Sequence, residues 1–177
     1  MKFESYTLSS EIKANLEQLG FKRPTDIQFK AIPNILNGED VLAVAQTGTG
    51  KTGAFAIPII HKVQENKSFK KELGIQALIM VPTRELALQI TKVFHDLGRN
   101  TKVRTISVFG GVDQDGQKES LDRGIDILVA TPGRMFDLLN QKSIDLRNLK
   151  TLILDEADQM LALGFYKDIK DVLHNIP

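Results

Sequence analysis

Apolar positions along this chain follow two alternating periods. Short runs at 41–45 (Val-Leu-Ala-Val-Ala), 76–81, 103–108, 125–130 and 151–154 read as strands. Most are near-continuous stretches of Val, Ile, Leu, Met and Ala, the pattern of strands covered on both faces. Between them the spacing turns helical. After Pro82, Leu86, Ile90, Val93, Phe94 and Leu97 fall at i, i+4, i+7, i+8 and i+11 and share one face. Thr83 is placed to cap that helix and Gly98 to end it. Two more helical segments precede the first run. One is capped by Ser9 or Ser10 and runs through Leu19 to Gly20; the other is capped by Thr25, with a kink expected at Pro33. Residues 65–74, carrying Lys67, Lys70 and Lys71, read as a solvated surface loop. Strands alternating with helices predict a mostly parallel α/β sheet joined by right-handed crossovers.

Composition narrows the picture without changing it. A length of 177 residues suits one well-buried domain. Cysteine is absent, which excludes disulfides, thiolate metal sites and cysteine nucleophiles. His61, His95 and His174 are scattered without metal-ligand spacing. No apolar run approaches the ~20 residues of a membrane span, and the first residues, Met-Lys-Phe-Glu-Ser, lack a signal-peptide pattern. A cytoplasmic protein with no membrane partner is the expectation. The net charge of +1 is not the basic excess of a duplex-DNA reader. Any nucleic-acid contacts must therefore be local and draw on backbone amides.

Candidate chemistry begins right after the first run, at Ala45-Gln46-Thr47-Gly48-Thr49-Gly50-Lys51-Thr52. Gly48 and Gly50 allow a tight fold whose successive N–H groups point inward at phosphate. A helix starting near Lys51 adds its positive dipole end. Lys51 supplies a charge for the β- and γ-phosphates, and the Thr52 hydroxyl is a hard oxygen ligand suited to Mg²⁺. The general phosphate-loop pattern opens with Gly where this chain has Ala45. A glycine-rich turn with no ligand is the alternative; the strand-loop-helix setting favours nucleotide. A second candidate follows the last run, at Asp155-Glu156-Ala157-Asp158. Ligands in open α/β sheets bind beyond the carboxyl ends of strands. Asp155 is suited to hold Mg²⁺, largely through water, and Glu156 to orient and deprotonate an attacking water. The other reading is an acidic helix N-terminus. Taken with Lys51 and Thr52 in one parallel sheet, the catalytic reading prevails.

These segments, with Pro82-Thr83-Arg84-Glu85-Leu86-Ala87, Gly110-Gly111 and Thr131-Pro132-Gly133-Arg134 between them, stand in the order seen in DEAD-box RNA helicases. Ahead of them, the stretch from Gly20 through Phe21, Thr25 and Gln28 resembles that family's adenine-recognition motif, and Phe3 matches its isolated upstream aromatic. The resemblance covers essentially the whole chain. It implies a RecA-like P-loop NTPase domain, with a mostly parallel sheet covered by helices on both faces. It further implies ATP and Mg²⁺ as ligands, with residues 46–52 on the phosphates and Gln28 on the adenine edge, selecting ATP over GTP. Phe21 and Phe3 would wall the base and Thr25 would support the site; Phe3 is equally a core aromatic anchoring the N-terminal arm. Pro82, Thr83, Arg84, Gly111, Thr131, Gly133 and Arg134 resemble the family's RNA-binding surface, whose contacts grip the backbone and carry no direct sequence information. Thr83 and Thr131 are also plain N-caps, and Arg84 is alternatively a structural ion-pair partner. Asp158 is implied to couple the nucleotide site to a later Ser-Ala-Thr motif.

On that resemblance, residues 1–177 form the first RecA-like domain of an ATP-dependent RNA helicase and stop before the Ser-Ala-Thr strand. In the family that strand lies inside the sheet, between the phosphate-loop strand and the strand before Asp155. The second helicase domain, a partner from the same parent chain, would also be absent, and with it an arginine finger worth about 10³–10⁵ in rate in related NTPases. The chain alone is then expected to bind nucleotide and part of the RNA backbone without appreciable hydrolysis or unwinding. Another P-loop NTPase, such as a DNA helicase or a small-molecule kinase, and a non-catalytic nucleotide- or RNA-binding module are the competing classes.

Overall fold

The computed structural model describes residues 1–69, 74–111 and 113–177, and for Ser68 and Phe69 the backbone only. Lys70 and Lys71 of the expected loop lie outside the described residues. The chain divides into two compact units, Met1–Phe69 with Lys92–Val103, and Lys70–Thr91 with Arg104–Pro177.

The first unit is helical. A 3-10 turn (Phe3–Ser5) leads into α1 (Ser10–Gln18), α2 (Asp26–Leu36) and α3 (Lys51–Phe69), and the last turns of α4 (Arg84–Leu97) belong here too. Ser9, rather than Ser10, caps α1: its hydroxyl accepts from the Ile12 amide at 3.4 Å. Gly20, at φ +79, turns the chain after that helix, a conformation L-residues resist. α2 runs unbroken through Pro33 and packs on α3. Their buried faces carry Ile32, Ile57 and Ile60, while Phe55 meets Phe94 of α4 at 6.2 Å between ring centroids. Full burial of each such side chain stabilises by about 1.5–3 kcal/mol. Asn15, itself buried, donates to the carbonyls of Leu97 (2.8 Å) and Arg99 (2.7 Å), satisfying acceptors at the end of α4 that no helix turn can reach.

Two expectations fail in this unit. Residues 65–69 are the last turns of α3 rather than a loop. Glu, Lys and Asn do not by themselves stop a helix, and Lys67 fastens the end by donating to the Lys102 carbonyl at 2.7 Å. The run at 41–45 is no strand: among the described residues it pairs with none, and Leu42 and Val44 are 96% and 94% exposed. An extended segment becomes a strand only by hydrogen bonding to a neighbour, which an apolar pattern does not itself supply.

The second unit holds the sheet. β1 (Ala77–Met80), β2 (Thr105–Val108), β3 (Ile127–Ala130) and β4 (Thr151–Leu154) lie in the order β2-β3-β1-β4, every pair parallel. Each sits inside an apolar run read from the sequence. β1 and β3, in the middle, are buried at every residue and therefore on both faces, whereas β4, at an edge, is half-buried throughout. The start of α4 follows β1, α5 (Gln114–Asp122) follows β2, α6 (Pro132–Asn140) follows β3, and α7 (Ala157–Ala162) and α8 (Tyr166–His174) follow β4. Leu78, Met80, Leu128, Met135, Leu138 and Met160 form the centre of its core. Parallel strands put all carboxyl ends at one edge, so Pro82, Phe109, Thr131 and Asp155 gather there.

Candidate functional site

The first unit presents the glycine loop. Gly48 and Gly50 adopt φ +82 and +83, the left-handed region that the motif's glycines permit. Thr49 folds its hydroxyl back onto the Gln46 carbonyl at 2.7 Å, and α3 begins at Lys51 with Lys51 and Thr52 half-buried in its first turn. Thr47 stays exposed. Behind the loop lies Gln28, fully buried. Its Oε1 accepts from the Thr25 backbone N–H, and its Nε2 donates to the Gly50 carbonyl, both at 3.0 Å. The capping residue of α2 is thus wired to the loop by one side-chain amide. The fit is close. A Cβ on Gly50 would stand 2.6 Å from Gln28 Nε2, and one on Gly53 2.8 Å from the same atom. Phe3 is buried against Phe21 (6.1 Å, edge-on) and Tyr6 (6.2 Å), and Phe21 is the half-buried ring of the Phe3–Phe21 pair.

In the second unit, the backbone N–H of Asp155 extends the β4–β1 ladder by donating to the Met80 carbonyl at 3.0 Å. The Asp155 carboxylate is buried and accepts from the Glu156 N–H at 3.1 Å. Glu156 caps α7 in a left-handed conformation, φ 53 and ψ 47, unusual for a residue with a side chain. Asp158 is exposed in the first turn of α7. Among the described residues no three His, Cys, Asp or Glu side chains cluster as a metal cage.

A pocket of about 390 Å³ opens at the carboxyl ends of β1, β2 and β3. Pro82, Arg84, Thr131, Gly133 and Arg134 of the expected RNA surface line it. Thr83 and Gly111 do not. The Thr83 hydroxyl accepts from the Leu86 N–H at 3.2 Å, the capping role, and Gly111 is exposed at φ +79 while its neighbour Gly110 lines the pocket. Thr131 occupies the N-cap of α6 with its side chain making no capping bond, and Pro132 starts that helix. Arg84 is exposed and lies over the Phe109 ring, 5.0 Å from its centroid, and among the described residues no carboxylate pairs with it. Arg134 is 3% exposed. Phe109, Gln114, Asp137 and Phe165 also line the pocket and were not among the expected RNA contacts. Phe109 had a signal, as the residue between a strand and the glycine pair; the others carried none that marks a phosphate contact.

The geometry has counterparts in known proteins. Residues 25–177 match the family model described as DEAD/DEAH box helicase. The chain is 43% identical over 176 residues to the ATP-dependent RNA helicase CshA of Listeria monocytogenes, across 99% of this chain and 33% of that protein. A crystal structure of a DEAD box protein from the hyperthermophile Methanococcus jannaschii superposes with a TM-score of 0.92 at 42% identity, covering 100% of this chain and 47% of that one. The chain thus spans about a third of the curated relative's length and about half of the solved one's. A parallel α/β sheet, a glycine loop opening a helix, a buried Asp at a strand end and this degree of likeness agree: the chain belongs to the DEAD/DEAH box helicase family.

Proposed function

We propose that the protein is an ATP-dependent RNA helicase, an RNA-stimulated ATPase that locally unwinds or remodels short duplexes, and that this domain holds ATP and part of the RNA backbone. In this reading the amides of residues 46–50 and the Lys51 ammonium hold the phosphates, while Gln28 reads the adenine edge through the amide hydrogen and lone pair its protein bonds leave over. Thr52 in the first unit and Asp155 in the second are each candidate hard-oxygen ligands for Mg²⁺, which would supply charge neutralisation on the phosphates. Glu156 takes the proton of the attacking water. Asp158 couples the nucleotide to a Ser-Ala-Thr motif, and a second helicase domain of the parent chain completes the groove and the charge stabilisation.

The observation that carries the RNA half is the strand-end pocket. Two arginines and the start of α6 meet there, and both kinds of donor suit phosphate. Such contacts explain how a domain of net charge +1 grips a polyanion. ATP turnover by the full-length protein, followed as phosphate release, should rise with single-stranded RNA and stay flat with DNA of the same sequence; equal stimulation by both would point to another P-loop NTPase. Glu156→Gln should keep ATP binding while lowering turnover by about 10²–10⁴.

A further inference from the structure

The strand-end pocket is braced by a side chain to which nothing above assigns a task. Gln117, half-buried on α5, reaches two partners at once. Its Nε2 donates to the Phe109 carbonyl at 3.1 Å, and its Oε1 accepts from Nε of Arg134 at 3.2 Å. Since Phe109 also carries the Arg84 guanidinium on its ring, one amide stands in the middle of a chain of contacts from Arg84 through Phe109 and Gln117 to Arg134.

The state of Arg134 gives this arrangement meaning. Among the described residues its two terminal nitrogens are buried without a hydrogen-bond partner, so only Nε is engaged, and by a neutral acceptor. A buried guanidinium left so incomplete is costly, and a carboxylate at 117 would have been the favourable partner for stability. It would also have cancelled the charge. The amide instead holds the guanidinium while leaving its charge uncancelled and its terminal donors unfilled. Its orientation is fixed: a flip would place Nε2–H against the Arg134 donor and Oε1 against the Phe109 carbonyl, losing both bonds.

We propose that Gln117 is a positioning residue of the RNA pocket, setting the aim of the Arg134 guanidinium at an incoming phosphate and tying it to the ring that supports Arg84. The proposal rests on the reading of this pocket as an RNA-backbone site. Gln117 acts through Arg134 and is not itself an RNA ligand.

A double-mutant cycle in the full-length protein tests it, read as the affinity for fluorescein-labelled oligouridylate by anisotropy, with thermal melting as a folding control. Gln117→Met should weaken binding about tenfold, the scale of one hydrogen bond to a charged group, and Arg134→Met at least as much. In the Arg134→Met background, Gln117→Met should then change affinity less than about twofold, because coupled residues are not additive. Full additivity would show Gln117 acting without Arg134 and overturn the proposal. Weakened Arg134→Met beside unchanged Gln117→Met would overturn it too, while leaving the pocket reading intact. Unchanged Arg134→Met would defeat both. Gln117→Glu gives a second route should Gln117→Met fold poorly. It keeps the size and the acceptor for Arg134 but gives up the donor to the Phe109 carbonyl, and it should bind RNA more weakly than Gln117→Met because its carboxylate neutralises Arg134. Wild-type affinity for Gln117→Glu would assign Gln117 a packing role only and sink the proposal.

Discussion

The glycine loop and the strand-end pocket both suit anions, and they are built by opposite means. The loop is one contiguous stretch whose charge comes from backbone amides and a single lysine, and its shape comes from glycines at φ +82 and +83. The pocket takes its parts from the ends of β1, β2 and β3 and from α4, α5 and α6, with cations on long side chains braced by Phe109 and Gln117. A backbone cradle is set by local conformation, so it tolerates almost no added atom. A side-chain pocket is set by packing between elements, so it tolerates small additions but depends on residues beyond its ligands.

Changes on each side can break that contrast. The largest effect should come from Gly50→Ala. A side chain at φ +83 costs about 1–2 kcal/mol before the 2.6 Å approach to Gln28 Nε2 is relieved, so ATP affinity, measured by calorimetry, should fall at least about tenfold. The same change at Gly133, where a Cβ would meet nothing within 4 Å, should raise the unfolding free energy by up to about 1 kcal/mol, as for Gly to Ala in a helix. If the two substitutions behave alike, the contrast is wrong. Next in size, Arg84→Ala should weaken RNA binding by about 1–2 kcal/mol, the upper range of one charge-assisted hydrogen bond and a cation–π contact. It should also flatten the salt dependence by about one phosphate contact. An unchanged slope would return Arg84 to a structural role.

The smallest effect lies at an arginine that already has its partner. In the loop between α6 and β4, Arg147 donates to the exposed Asp145 carboxylate at 2.7 and 2.9 Å and holds its pKa down to about 2. A folded pKa below the unfolded value of about 3.9 means the pair stabilises fully above that value and stops doing so as pH falls through about 2. Asp145→Asn should therefore be slightly less stable than wild type at neutral pH and indistinguishable from it below pH 2, by urea unfolding. It should leave RNA affinity alone, unlike changes at Arg134, which no carboxylate pairs among the described residues.

The same contrast explains what could be read from the chain. The strands β1 to β4 and the helix after Pro82 were legible because burial leaves its period in the residues that meet it. The loop at 45–52 was legible because every participant is a neighbour in sequence. Residues 41–45 misled because the pattern reports that a segment wants cover and says nothing of which strand provides it. Lys67 misled because an exposed helix end and a loop share one composition. Gln117 and the bracing of Arg134 were invisible for another reason: both follow from where α5 lies against the ends of β2 and α6, a packing fact with no local signature. Gln28 fell between these cases. The resemblance implied a role for it on the adenine edge, whereas its bond to the Gly50 carbonyl is a tertiary detail.

The left-handed backbone at Glu156 bears on how this protein should be engineered. Leaving that pose to glycine would relieve a penalty of about 1–2 kcal/mol, and asparagine would relieve part of it. A library screened for heat resistance alone would thus tend to discard the carboxylate proposed to activate water, yielding hardier proteins that no longer turn over ATP. Position 156 is the one to hold fixed in any consensus or directed-evolution campaign. The frequency with which glycine invades it would measure how strongly stability and turnover pull against each other here.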